Sequence, residues 1–186
     1  MTVLDILKTA SVYLNIDETL TPIWNEEENV SSDVQKIFST LLTSFNEMVG
    51  YLFSTKFDML DTREIVFDQN GEYDLSSLPF SIKNVKSLSC GGRSVKYEVC
   101  GSTLYSKKGI TAKIKYSFLP EELSENDDFD FCIGVDMGTL AIGVAWFYSL
   151  NNSIFDDAES FKSQFVENIN KMAKTRSHFT RQRRWE

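Results

Sequence analysis

The chain has 186 residues, of which 42% are apolar and 25% charged, and its formal net charge is −8. That describes one globular domain, or one domain with a subdomain, with enough chain to bury a sizeable core. The balance argues against a body that embraces duplex DNA, which requires positive charge against phosphates. Three cysteines (Cys90, Cys100, Cys132) and the single histidine His178 leave no disulfide framework and no zinc set. The thiols are expected to stay reduced, as in a protein made in cytoplasm. The opening MTVLDILKTA lacks the basic region and long apolar run of a signal peptide.

The first block reads as helical. Residues 2–14 place Val3, Leu7, Ala10 and Leu14 on one stripe, and an acidic, Pro-containing connector is expected over 15–29. Ser32 and Gln35 have the spacing of a capping box opening a long helix. Its apolar positions (Val34, Ile37, Phe38, Leu41, Leu42, Phe45, Met48, Val49, Leu52, Phe53) step by three and one, giving a wide buried stripe.

The second block reads as β. Ile65, Val66 and Phe67 lead into Asn70-Gly71, a hairpin signal, with Tyr73 and Leu75 returning. A second hairpin is expected from 85–90 through Gly91-Gly92 to 95–99. Strands at 103–105 and 110–118 follow, divided by Lys107-Lys108-Gly109, and the alternation Ala112, Ile114, Tyr116, Phe118 turns one face to a core. Residues 83–115 hold eight basic side chains and one acid, Glu98, which suits DNA, an acidic partner or a solvated sheet face.

The third block returns to helix after an acidic loop from Pro120 to Asp130. The apolar stretch 131–150 has acidic flanks and no positive-inside signal, so a helix buried on all sides is expected rather than a membrane span. Ile133, Met137, Leu140, Val144 and Phe147 form one stripe. Gly134, Gly138, Ala141 and Ala145 form another of small residues only, suited to close approach of a second helix. After Asn151-Asn152, a last helix carries Asp156, Asp157 and Glu159 near its start and Lys171 and Lys174 near its end, matching the macrodipole. Its core stripe is Ala158, Phe161, Phe165, Ile169 and Met172.

Chemistry-bearing motifs are thin. Gly134-Val135-Asp136-Met137-Gly138-Thr139 resembles the first phosphate motif of actin-like ATPases, but that fold needs two lobes and further nucleotide motifs, and only 47 residues follow Thr139. Asp61, Glu64 and Asp68 could hold a metal, though they also read as strand-entry residues. There is no Walker A loop and no Gly-x-Ser-x-Gly elbow. No catalytic residue, cofactor or metal is expected.

Residues 173–186 differ from everything before them. They hold five basic residues (Lys174, Arg176, Arg181, Arg183, Arg184) and one acid, Glu186, a balance of +4 against −12 for the rest. With Phe179 and Trp185 added, this reads as an extended arm that orders against a partner.

The order helix, long helix, β meander, helix, helix, basic tail resembles the tail-adaptor, or head–tail connector, proteins of short-tailed bacteriophages (tail tubular protein A-like). Local phrases carry the likeness: Gly71-Glu72-Tyr73-Asp74-Leu75 with Ser76-Ser77-Leu78-Pro79, the stretch 97–105, Ile114-Lys115-Tyr116-Ser117-Phe118, and 136–148 with Asp156-Asp157-Ala158-Glu159. The likeness spans about residues 3 to 176. The family usually carries Pro soon after the Tyr-Asp-Leu phrase, whereas here Pro79 comes later.

The resemblance implies an α+β fold. Two N-terminal and two C-terminal helices (1–60 and 120–174) would form a bundle, with an inserted antiparallel β meander or sandwich (61–119) and an extended tail (175–186). It implies a virion protein assembled in host cytoplasm, present as a dodecameric ring beneath the portal. The ring would extend the DNA channel, and tail nozzle or fibre proteins would dock on it, with no membrane involved. Lys174, Arg176, Phe179, Arg181, Arg183, Arg184 and Trp185 would bind the portal. Gly134, Gly138, Ala141 and Ala145 would pack between subunits. A head-completion stopper or tail-terminator ring is the near alternative; a nucleic-acid-binding module and an actin-like ATPase fragment are the distant ones.

Overall fold

A computed structural model describes residues 1–129 and 134–179, with 173–179 described in backbone only. Within them the chain is α+β, with five helices and seven strands. It divides into two compact units: residues 1–49 with 122–186, and residues 50–121.

The first unit is helical. Helix α1 (Val3–Tyr13) opens with a capping box in which Thr2 accepts from the Asp5 amide and Asp5 accepts from the Thr2 amide. Two further free amides of its first turn, on Val3 and Leu4, donate to the Asp127 and Glu125 carbonyls (3.0 and 3.1 Å), so the acidic loop caps α1. Val3, Ile6, Leu7 and Ala10 face the core. Helix α2 (Asp17–Trp24) stands where an irregular connector was expected, making three N-terminal helices rather than two. Ile16, Leu20, Ile23 and Trp24 recur at helical spacing, and Leu20 is fully buried. Pro22 forfeits one hydrogen bond without ending the helix. Trp24 meets Phe38 edge-on at 5.9 Å.

Helix α3 (Ser32–Thr55) buries or half-buries every position of the expected stripe. Its cap is one residue earlier than expected. Ser31 accepts from the Val34 amide at 3.4 Å, so Ser32 is already helical and Gln35 is not its box partner. Helix α4 (Met137–Asn151) is capped by Asp136 and buries nine of its fifteen residues. Helix α5 (Phe155–Phe179) starts with Asp156 and Asp157 in its first turn and buries Ala158, Phe165 and Ile169. It continues to Phe179, five residues into the tail expected over 175–186. Ala173, Lys174 and Arg176 are good helix formers, and no Gly or Pro interrupts them.

The second unit is built on two antiparallel sheets. One has the order β1-β7-β3-β4: β1 (Met59–Val66), β7 (Thr111–Phe118), β3 (Ile82–Cys90), β4 (Arg93–Ser94). The other has the order β2-β6-β5: β2 (Glu72–Asp74), β6 (Thr103–Tyr105), β5 (Glu98–Cys100). Both contribute to one core around Ile65, Phe67, Leu88, Leu104, Ile114 and Tyr116. The alternation along β7 buries Ala112, Ile114, Tyr116 and Phe118, as its sequence requires.

The turn at Asn70-Gly71 does not join a hairpin. β1 pairs over all eight residues with β7, while β2 pairs with β6, so the chain changes sheets there. Asp68 holds that corner by accepting from the Asn70 and Glu72 amides at 2.8 and 2.7 Å. The second expected hairpin is present in shortened form. Cys90 pairs with Arg93 across Gly91 and Gly92, both at positive φ (+56° and +76°), the geometry of a tight two-residue turn. Only Val95 extends it, its amide donating to the Leu88 carbonyl at 2.9 Å, because the strand at Glu98–Cys100 hairpins onto β6 instead.

β1 is an edge strand, and it carries an ion pair on its core-side face. Arg63 Nε donates to Asp61 Oδ2 at 2.7 Å, and the hydroxyl of buried Tyr116 donates to the same oxygen at 2.9 Å. Inward-facing charge on an edge discourages pairing with another strand. The Arg63 hydrogen bond holds the Asp61 carboxyl below its usual 3.8, while burial, aided by Asp61, pushes the Tyr116 phenol up to about 12. Two pH effects follow from these signs. Asp61 stabilises the folded state above its ordinary value, and that stabilisation is lost as pH falls through the depressed one. Tyr116 stabilises fully below pH 10, its unfolded value, and that stabilisation is lost as pH rises toward 12. Tyr116→Phe should therefore cost about 1 kcal/mol near neutrality. Urea unfolding should also show a shallower loss of stability above pH 10 in the variant than in the parent.

Candidate functional site

The α4–α5 hairpin carries the features closest to a site. Asp136 ends an irregular stretch, and its carboxylate accepts from the Thr139 amide (2.9 Å) and hydroxyl (2.8 Å). The phosphate-like motif is therefore a helix cap, and the residues that follow it lie inside α4. At the far end, Asn152 closes α4 by donating its amide and side chain to the Tyr148 carbonyl, at 3.1 and 2.9 Å. Asn151 Nδ2 ties the same turn to α3 through Ser44 Oγ (3.1 Å) and Glu47 Oε2 (2.8 Å). Ser153 at φ +61° reverses the chain, and the Ile154 amide donates to Ser149 at 2.8 Å.

That reversal leaves apolar side chains in solvent. Phe155 is 66% exposed, Ile154 44% and Leu150 39%. They lead into a groove of about 720 Å³ lined by Trp146, Leu150, Phe155, Ala158, Lys162 and Val166. Lys162 Nζ stands 5.8 Å from the Trp146 ring centroid, a cation–π contact on the groove wall, and Trp146 itself is buried. Glu159 and Glu167 also line it, and exposed Asp156 and Asp157 stand beside it on the first turn of α5. Glu167 accepts from Lys171 at 2.7 Å, which draws its carboxyl below the usual range. Contiguous exposed apolar surface with a polar rim marks a protein-docking face.

Within the small-residue stripe, Ala141 and Ala145 pack inside the helical unit rather than between subunits: both are fully buried, beyond the reach of a second copy. Gly134 precedes α4 with φ +59° and is no part of the helix. Gly138 lies in the first turn, where an added Cβ would meet only Asp136 Oδ1 (3.3 Å) and Tyr13 Oη (3.6 Å). The close approach occurs at Gly143, whose Cβ would come within 2.6 Å of Phe165 Cε2 and 2.8 Å of Met48 Cγ. Gly143 lies off the expected stripe. Its signal was a glycine in mid-helix, a position that costs about 1 kcal/mol relative to alanine unless packing demands it.

Of the arm residues, Lys174, Arg176 and Phe179 fall within α5, where only backbone is described. Arg181, Arg183, Arg184 and Trp185 lie outside the described residues. The basic sheet region is partly neutralised: Lys83 and Lys86 pair with Asp58 at 3.2 and 2.8 Å, and Lys113 stands opposite Glu64. Asp61, Glu64 and Asp68 do not converge. Asp61 is held by Arg63 and Tyr116, Asp68 by backbone amides, and Glu64 has the opposite parity to Asp61 on β1. Among the described residues no group of three or more His, Cys, Asp or Glu is placed to hold a metal ion. No helix among them is long and apolar enough to cross a membrane.

No protein-family model matches the chain, and no curated protein matches it at a significant level.

Two glycine substitutions separate packing from helix propensity. Gly143→Ala should destabilise by about 1–3 kcal/mol through overpacking against Phe165 and Met48. Gly138→Ala should cost less than Gly143→Ala, because a propensity gain of up to about 1 kcal/mol offsets a contact with the Asp136 carboxylate alone at 3.3 Å. Thermal unfolding of the two variants beside the parent tests this, and equal midpoints would contradict the packing seen at Gly143. Asp136→Ala should cost about 1 kcal/mol as a lost cap, with Asp136→Asn or Asp136→Ser recovering most of it in the same assay.

Proposed function

We propose that the chain is a structural, non-enzymatic subunit of a head-to-tail adaptor ring in a short-tailed phage. It would sit on the portal, lengthen the DNA channel and offer attachment surface to tail components. The observation that supports this best is the division of labour in the fold. A helical unit assembled from both ends of the sequence presents an exposed apolar face, and a separate sheet unit is inserted into it. Such a layout gives one unit to subunit contacts and leaves the other for a different partner.

The charge balance agrees with a channel. Residues 1–172 carry a balance of −12, so DNA would pass without being held by its phosphates. The pairing of Lys83 and Lys86 with Asp58 reduces the positive surface that a DNA-binding sheet would need.

The deciding experiment mixes the protein with the portal protein of the same virus. Particle mass is measured alone and in the mixture, followed by electron microscopy of the complex. The expected outcome is a closed ring seated on the portal's tail-side face. Absence of any portal complex, or a DNA affinity with a steep salt slope, would overturn the reading. A ring seated below another neck protein would identify a stopper or terminator instead.

A further inference from the structure

Helix α5 and the residues beyond it are electrically divided. Residues 155–170 carry four acids (Asp156, Asp157, Glu159, Glu167) and one base, Lys162. Residues 171–186 carry six bases (Lys171, Lys174, Arg176, Arg181, Arg183, Arg184) and one acid. The acidic half borders the groove with its exposed Phe155, while the basic half contains Phe179 and Trp185. One segment thus has an apolar recess with an acidic rim, and the other has cations interleaved with aromatic rings. Arg–carboxylate pairs and an aromatic anchor in an apolar pocket are the contacts such surfaces make.

The Phe155 end of the groove lies beyond the reach of the same chain's arm, although the Val166–Asn170 end does not. Ala158 lies about 32 Å from Phe179 along the helix, at about 1.5 Å per residue. Trp185 is six residues past Phe179, and a fully extended chain of that length spans about 22 Å. Even with an immediate reversal, the Trp185 backbone falls about 10 Å short of Ala158, and further short of Phe155.

We propose that the α4–α5 groove is the docking site for the C-terminal arm of a second copy of this chain. Trp185 would enter beside Trp146 and Phe155, with Arg183 and Arg184 meeting Glu159 and the Asp156–Asp157 turn. Donor and acceptor are different surfaces, so the contact is head-to-tail, and repetition closes a ring or extends a filament. The proposal rests on the ring-subunit reading and names the arm's acceptor within it: an adjacent copy, in place of the portal groove that the sequence suggested. Screening by salt should weaken the contact, because its rim is charged and exposed.

Cross-linking in the full chain tests this. One preparation carries Ser163→Cys in the groove wall and another carries Gln182→Cys in the arm; unsubstituted protein, with its native cysteines, sets the background. The expected result is a disulfide-linked species of two chains when the preparations are mixed under mild oxidation. The doubly substituted chain should form no internal link. In addition, Glu159→Lys with Glu167→Lys should weaken self-association by about tenfold or more, with Arg183→Glu and Arg184→Glu copies restoring it in the mixture. An internal link in the double variant, or no mixed link above background, would overturn the proposal, as would self-association unchanged by the groove charges. Retained portal binding by the groove variants, with no mixed link, would sink this contact and leave the adaptor reading standing. A mixed link without any portal complex would do the reverse.

Discussion

Helix α4 can be buried on most of its circumference only because Gly143 lets Phe165 of α5 and Met48 of α3 come closer than any side chain would allow. The rest of the helical unit depends on that approach. α4 carries almost no charge, so it must be covered by α1 on one side and α5 on another. Phe165, itself fully buried, fills the recess that glycine opens and meets the Trp146 ring at 5.9 Å. A packed interior of this kind has no slack, so the mid-helix glycine is better understood as shape than as flexibility.

Because α4 needs partners from both ends of the sequence, the unit is discontinuous and the intervening residues 50–121 must leave and return. The return is fixed by polar contacts and by one buried aromatic side chain. Asn46 on α3 accepts from the Leu123 amide at 2.8 Å and donates to the Leu123 carbonyl at 2.9 Å, copying a strand's paired hydrogen bonds with one side chain. A few residues on, the same loop supplies the carbonyls that cap α1, and Phe129 packs against Phe45 at 5.7 Å. The acidic loop is thus a structural element with its charge facing outward. The sheet unit has its own core around Tyr116, whose phenol is the point where an edge ion pair and the apolar interior meet.

Much of this was legible in residue order, and the exceptions share a cause. The stripes of α1, α3 and α5 and the alternation of β7 were readable because period and burial coincide on elements with one buried face. α2 was missed because Pro22 and acidic neighbours imitate a connector, although Ile16, Leu20, Ile23 and Trp24 keep a helical step. Asn70-Gly71 gives a true turn signal, but turn chemistry does not say which sheet receives the next strand. α4 was the least legible in detail. A helix buried nearly all round has no face, so its sequence sets no preference between a stripe through Gly134, Gly138, Ala141 and Ala145 and one through Gly143. The groove is not legible in sequence either: exposure of Leu150, Ile154 and Phe155 follows from where α5 crosses α4, and no local pattern encodes it.

The sequence by itself determined the secondary-structure alphabet, the separation of helical and β blocks, and the opposition of charge between body and C-terminal residues, since periodicity, propensity and charge are local quantities. Tertiary structure alone decided which glycine is a contact, which sheet each strand joins, which apolar residues remain in water, and that Asp136 caps a helix. Each of those depends on residues far apart in the chain meeting in space.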